Sequence, residues 1–139
     1  MNKFECFLAE PLINTKQVKK FEDMYCIFFP NDFIECIIEN NSGYFVQKKI
    51  KTKFENIRIC NNFLNFYEND KISIFYVYKD VFFEREIDRL IPFAQDPFGN
   101  YFCFDFSDSS MSVVFWEHES SKKEYICNTF TEFINNLYK

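Results

Sequence analysis

Residues 90–118 read LIPFAQDPFGNYFCFDFSDSSMSVVFWEH, and this stretch decides the fold. Pro97-Phe98-Gly99-Asn100 is a turn signal, because proline pre-sets φ and glycine accepts a positive one. It divides residues 91–95 from 101–106, and Ser107-Asp108-Ser109-Ser110 makes a second, looser turn before 112–116. Short apolar segments joined by tight turns predict an antiparallel meander, since consecutive antiparallel strands need no crossover helix. Acids stand at its bends: Asp96, Asp105, Asp108 and Glu117, with Glu119 just beyond. No Lys or Arg falls between Arg89 and Lys122, and the stretch holds the chain's single His and single Trp.

Working outward, the flanks supply what a sheet needs to cover it. Val18, Phe21, Met24 and Tyr25 recur at helical spacing and predict a helix over 15–25, with Lys19, Lys20, Glu22 and Asp23 turned outward. Asn14 and Gln17 form a capping-box pattern at its start. Pro30 suits the first turn of a second helix, whose stripe is Phe33, Ile34, Ile37 and Ile38. Asn40-Asn41-Ser42-Gly43 ends it, with Gly43 available for a left-handed cap. Residues 44–50 and 54–60 alternate as strands, and Asn69-Asp70 precedes a third helix over 71–84 with Ile72, Phe75, Tyr76, Lys79, Phe82 and Phe83 on its inner side. A charged connector covers 85–89. A short last strand over 125–127 leads to a capping box of Thr129 and Glu132, which opens a helix over 130–138. The expectation is one α+β domain over 1–139. Its mainly antiparallel sheet packs against two N-terminal helices, a middle helix and a C-terminal helix.

Composition bounds the function. With 21 Phe and 8 Tyr in 139 residues, the chain has ample material for a core and is not a disordered segment. The net charge of −5 disfavours nucleic acid, which needs a basic surface. No stretch approaches the roughly 20 apolar residues that span a bilayer, and the charged start MNKFECFLAEPL is no signal peptide. Six cysteines without a CxxC pair, beside one His, fit reduced core thiols in a cytoplasmic protein rather than disulfides or a zinc set. No cofactor and no metal are expected.

The acids of the opening stretch invite two readings. Residues 95–139 carry 7 acids and 3 bases, so an acidic face could steer a basic protein partner. Asp96, Asp105 and Asp108 could instead gather for acid–base work or a hard cation, with His118 as the one imidazole. Turn chemistry accounts for the aspartates more simply, because Asp binds its own backbone at bends. The basic cluster Lys48, Lys49, Lys51, Lys53 and Arg58 reads as a lysine-protected strand edge, not a phosphate site, since no glycine-rich loop accompanies it.

Three stretches carry a family resemblance. Phe21-Glu22 through Phe29-Pro30 to Phe33, followed by Asn40-Asn41-Ser42-Gly43, is similar to an "E…LP.dY…N.G" pattern. IPFAQDPFGNYFCFDFS resembles "IPIA.D..GD.ICLD.S", and VVFWEHE with FTEFINNLY resembles "V..WDHE…IA.SF.EFL..L". These patterns belong to the SUKH superfamily, the Smi/Knr-type domain of yeast cell-wall regulators and many bacterial immunity proteins. Asn100, Phe29 and Phe33 depart from the pattern, and residues 44–88 match only in outline. The resemblance implies a non-enzymatic binding protein, monomeric or weakly dimeric. It would be an immunity protein that neutralises a cognate toxin domain or, alternatively, a regulatory scaffold. The expected contacts are Asp96, Asp105, Asp108, Glu117 and Glu119, or else the less family-like segment 44–88.

Overall fold

The computed structural model describes residues 4–85, 87 and 89–139. Its elements are β1 (Cys6–Phe7), α1 (Lys16–Tyr25), α2 (Asn31–Asn40), β2 (Tyr44–Phe45), β3 (Lys49–Lys51), β4 (Ile57–Ile59) and β5 (Asn62–Phe63). There follow α3 (Ile74–Val77), a π-helical continuation (Tyr78–Phe83), β6 (Leu90–Gln95), β7 (Tyr101–Asp105), β8 (Ser112–Trp116), β9 (Lys123–Cys127) and α4 (Phe130–Asn136). The fold is α+β. Seven strands form one sheet in the order β1-β2-β5-β6-β7-β8-β9, antiparallel throughout, and β3-β4 make a small second sheet.

The meander lies where the turn chemistry puts it. β7 pairs with β8 from Tyr101↔Trp116 to Asp105↔Ser112 without a break. The register of β6 shifts between Pro92 and Ala94, so the proline, which has no N–H to give, sits at an irregularity in the ladder. Phe93 then stacks on Phe104 with centroids 4.4 Å apart. Phe33 of α2 and Phe130 of α4 pack against that pair, and Phe133 meets Phe93 and Phe102. On Tyr101 and Trp116, one ladder position away, the covering ring is Phe82 of the π-helical turn. α1 packs on that helix through Phe21, which meets Phe75 and Tyr78. Each fully buried phenylalanine contributes about 1.5–3 kcal/mol of transfer free energy. An aromatic core of this kind is the main source of stability.

Several local expectations need correction. The alternation expected over 44–50 holds in burial only to Gln47, and it slips by one residue before Ile50 as the run changes partner. β2 joins the large sheet, β3 the small one, and Gln47 between them binds Glu5. Of 54–60 only Ile57–Ile59 is strand, and Glu55 takes a φ of 68° in the preceding turn. The third helix starts at Ile74, because Asp70 caps the Ile72 N–H and Ser73 caps Phe75. Ile74, Val77 and Tyr78 face inward with Phe75 and Phe82, leaving Ile72, Tyr76, Lys79 and Phe83 exposed. In the connector, Glu86 and Asp88 lie outside the described residues.

Helix ends differ too. Asn14 binds the Lys16 N–H, and Thr15 is the N-cap without a side-chain bond, so the Asn14–Gln17 box is not formed. Met24 is half exposed and Glu22 is buried, its carboxylate accepting from Phe29 N–H at 2.8 Å. That bond fixes the loop just before Pro30. The positive φ after α2 falls on Ser42, at 65°. Gly43 serves a different need, since a Cβ there would lie 2.9 Å from both Asn40 O and Cys6 Cβ. The Thr129 cap does form, its hydroxyl accepting from Glu132 N–H, while the Glu132 carboxylate accepts from that hydroxyl and not from the Thr129 N–H of a full box. α4 stops at Asn136 so that Tyr138 can pair with Lys49.

Candidate functional site

The β6–β7 turn is organised by one carboxylate. Asp96 Oδ1 accepts from the Phe98 and Asn100 N–H groups, each at 2.8 Å, and Oδ2 accepts from Asn100 Nδ2 at 2.9 Å. Asn100 Oδ1 in turn accepts from His118 N–H at 3.0 Å and lies 2.9 Å from His118 Nδ1. Because that oxygen can only accept, the imidazole carries its proton on Nδ1. The ring lies 3.5 Å from where a Gly99 Cβ would stand, and Gly99 has a φ of +87°. An amide at position 100 meets both demands, donating to Asp96 and accepting from His118. The β8 strand ends at Trp116, so Glu117 and His118 lie beyond it, where the chain turns. Phe98, Asn100, Glu117, His118 and Glu119 line a shallow cleft of about 270 Å³ here.

At the other end of β7 stands Asp105. It accepts from Ser107 N–H at 2.9 Å and Ser107 Oγ at 2.6 Å, and it pairs with Lys123 Nζ at 2.7 Å. Burial alone would raise its pKa, but the Lys123 and Ser107 contacts outweigh this and hold the carboxyl below its ordinary value. Asp108 is exposed in the next turn. The five candidate acids thus divide. Asp96, Glu117 and Glu119 gather at one end of the meander, and Asp105 and Asp108 sit at the other, four residues of strand away. Asp96 is 7% and Asp105 6% exposed, with their oxygens committed to turns, while Asp108 and Glu119 face water.

Arg58, which the sequence placed in a lysine-rich edge, is the hub of a charged clip. Its Nε pairs with Glu124 at 2.9 Å, its guanidinium reaches Glu117 at 3.4 Å, and it lies 4.6 Å above the Phe115 ring. Glu124 also accepts from Asn56 and Thr52. Burial pushes its pKa up, yet the bonds from Asn56, Arg58 and Thr52 prevail and lower it. The clip ties the small sheet to β9. Nothing in the local pattern signalled it, because Arg58 and Glu124 lie 66 positions apart in the chain.

Chemistry of the nucleophilic kind has poor material. The six thiols are free, and burial raises Cys6, Cys36 and Cys127 to about 12, far from a thiolate at neutral pH. Among the described residues no group of three or more His, Cys, Asp or Glu is placed to hold a metal, and no helix is long and apolar enough to cross a membrane.

Sequence reasoning overlooked a groove beside α1, where Pro11, Leu12, Ile13 and Tyr67 face Lys16 and Gln17. The available signal was an apolar run, Leu12-Ile13, placed just ahead of a helix rather than inside one.

No curated protein and no solved structure matches the chain. One family model does, and it is described as the SMI1 / KNR4 family (SUKH-1). It covers residues 12–136, from the lead-in to the last residue of α4, and so takes in the meander, its capped turns and the helices that cover it. Domains of this family generally act by protein–protein interaction, commonly as immunity proteins, and not as enzymes. With the match running over nearly its whole length, the chain belongs to the SMI1 / KNR4 (SUKH-1) family.

Proposed function

We propose that this chain is an immunity protein that binds and neutralises a cognate toxin domain in the cytoplasm by protein–protein contact. The family match over residues 12–136 carries the reading. Its site is consistent with binding rather than turnover: His118 is tied to Asn100, and Asp96 and Asp105 are spent on their own turns. The toxin contact is assigned to the acidic margin of the meander. Glu119 and Asp108 reach a basic partner directly, and Glu117 does so from beside Arg58. Asp96 and Asp105 shape the turns that present them.

The test is to read the neighbouring genes for a toxin-like domain and to co-express any such domain with this chain. Rescue of growth and co-purification of the two proteins are expected, and neither occurring would end the immunity reading. The double variant Glu117→Lys/Glu119→Lys should slow association by about tenfold at low salt and remove most of its salt dependence. Unchanged rates would move the contact to residues 44–88.

A further inference from the structure

Two adjoining concavities, of about 370 and 530 Å³, run along the outer side of α1, and Lys16 and Gln17 line both. One wall is apolar. Ile13 is wholly exposed, Leu12 stands beside it, and Met24 is half exposed at the far end. That wall is preformed, because Glu10 N–H donates to Asn41 O and Leu12 N–H to Ile38 O, each at 2.8 Å.

The other wall is cationic. α1 has no acid in its first turn, and only the neutral Asn14 amide meets its first N–H, so Lys16 adds its charge to a helix end that no carboxylate offsets. Lys19, one turn on, shares that face. The acids bounding the far end are Asp23 and Glu68, and Lys20 answers Glu68 at 2.7 Å. On a chain of net charge −5 this is an inverted patch. Between the walls, Gln17 Oε1 is buried without a hydrogen-bond partner, an acceptor left unmet at the groove's floor.

We propose that this groove binds an extended acidic–apolar peptide segment of a partner protein. An apolar side chain packs on Ile13 and Leu12, a carboxylate sits between Lys16 and Lys19, and a backbone N–H donates to Gln17. From Lys16 to Met24 the helix rises about 12 Å, enough for about four extended residues. The inference rests on reading the chain as a protein-binding domain. It does not depend on which toxin, or on the acidic margin.

The test titrates the ¹⁵N-labelled full chain with the acetylated, amidated peptide EVDLE, beside KVKLK and EGDGE. Amide shifts at Ile13, Lys16, Gln17 and Lys19 should move with EVDLE, and the two controls should bind about tenfold more weakly or worse. Lys16→Glu/Lys19→Glu should cost a similar factor without unfolding the chain, because acids near a helix start favour the helix. Gln17→Leu should weaken binding about threefold. No shift at millimolar EVDLE, equal response to KVKLK, or dilution-dependent shifts of the chain alone at these residues would overturn the proposal. The two readings fail separately. A chain that neutralises its toxin but ignores EVDLE loses only the groove, and one that binds EVDLE without capturing the toxin loses only the immunity role.

Discussion

The meander from β6 to β9 and the segment from β2 to the π-helical turn contribute to the same sheet and hold it by different means. In the meander each strand pairs with the next along the chain, over four or five register pairs per interface. The middle segment enters the sheet through two-residue strands, with β2 and β5 sharing the single pair Tyr44↔Asn62. What it lacks in ladder it replaces with buried polar side chains. Asn41 accepts from Phe66 N–H and donates to Glu10 O, Asn65 caps Tyr67, and Ser73 caps Phe75. A ladder is generic and tolerates exchange of its outward residues. A set of side-chain clips is specific, and each one is a point of failure.

Phe33 is where the comparison is broken most severely, because its ring touches both regions: Phe63 and Phe66 on one side, Phe93 and Phe104 on the other. Phe33→Ala should cost about 3–5 kcal/mol in urea unfolding. A loss below about 1 kcal/mol would mean the two regions do not share a core. Next comes Asn41→Ala, which strands the buried Phe66 N–H and takes one of two donors from Glu10 O, and should cost about 2–3 kcal/mol. Asn100→Ala in the meander leaves the ladder intact and should cost about 1 kcal/mol, so equal losses at 41 and 100 would erase the distinction drawn above. Arg58→Met should cost about 1–2 kcal/mol and speed amide exchange in β3 and β4 ahead of β6–β8.

The smallest effect is on pH. Asp105 and Glu124 have folded pKa values below their ordinary 3.8 and 4.5. Their contribution is therefore complete above those values, and drains as pH falls below them toward the lowered folded values. Asp105→Asn should flatten the acid limb of the stability curve, and an unchanged limb would remove Asp105 from it.

The meander was legible because its information is local. Pro97-Phe98-Gly99-Asn100 specifies a turn, and the flanking apolar runs have no other way to pair than across it. The same locality made Thr129–Glu132 readable as a cap. The middle was not legible, because alternation over 44–50 reports which side chains face inward and not which strand they pair with. The rhythm that buries Phe45 and Gln47 slips by one residue before Ile50, where the chain passes from one sheet to the other. The inner side of 71–84 was misjudged for a related reason. The buried set Ile74, Phe75, Tyr78 and Phe82 keeps helical spacing, but its phase follows from the Ser73 cap that starts the helix, which spacing alone does not reveal. Among the acids, the turn-forming role of Asp96 was written in its neighbours. The pairing of Asp105 with Lys123, 18 positions away, was not.

Trp116 is the chain's single tryptophan, buried to 1% and packed 4.7 Å from Phe82. Nature has therefore placed one fluorophore at the seam between the two regions. Its emission reports whether the π-helical turn is seated on the meander, separately from whether the meander is folded. A red shift preceding loss of far-ultraviolet circular dichroism would catch the middle segment lifting off an intact sheet, with no label added.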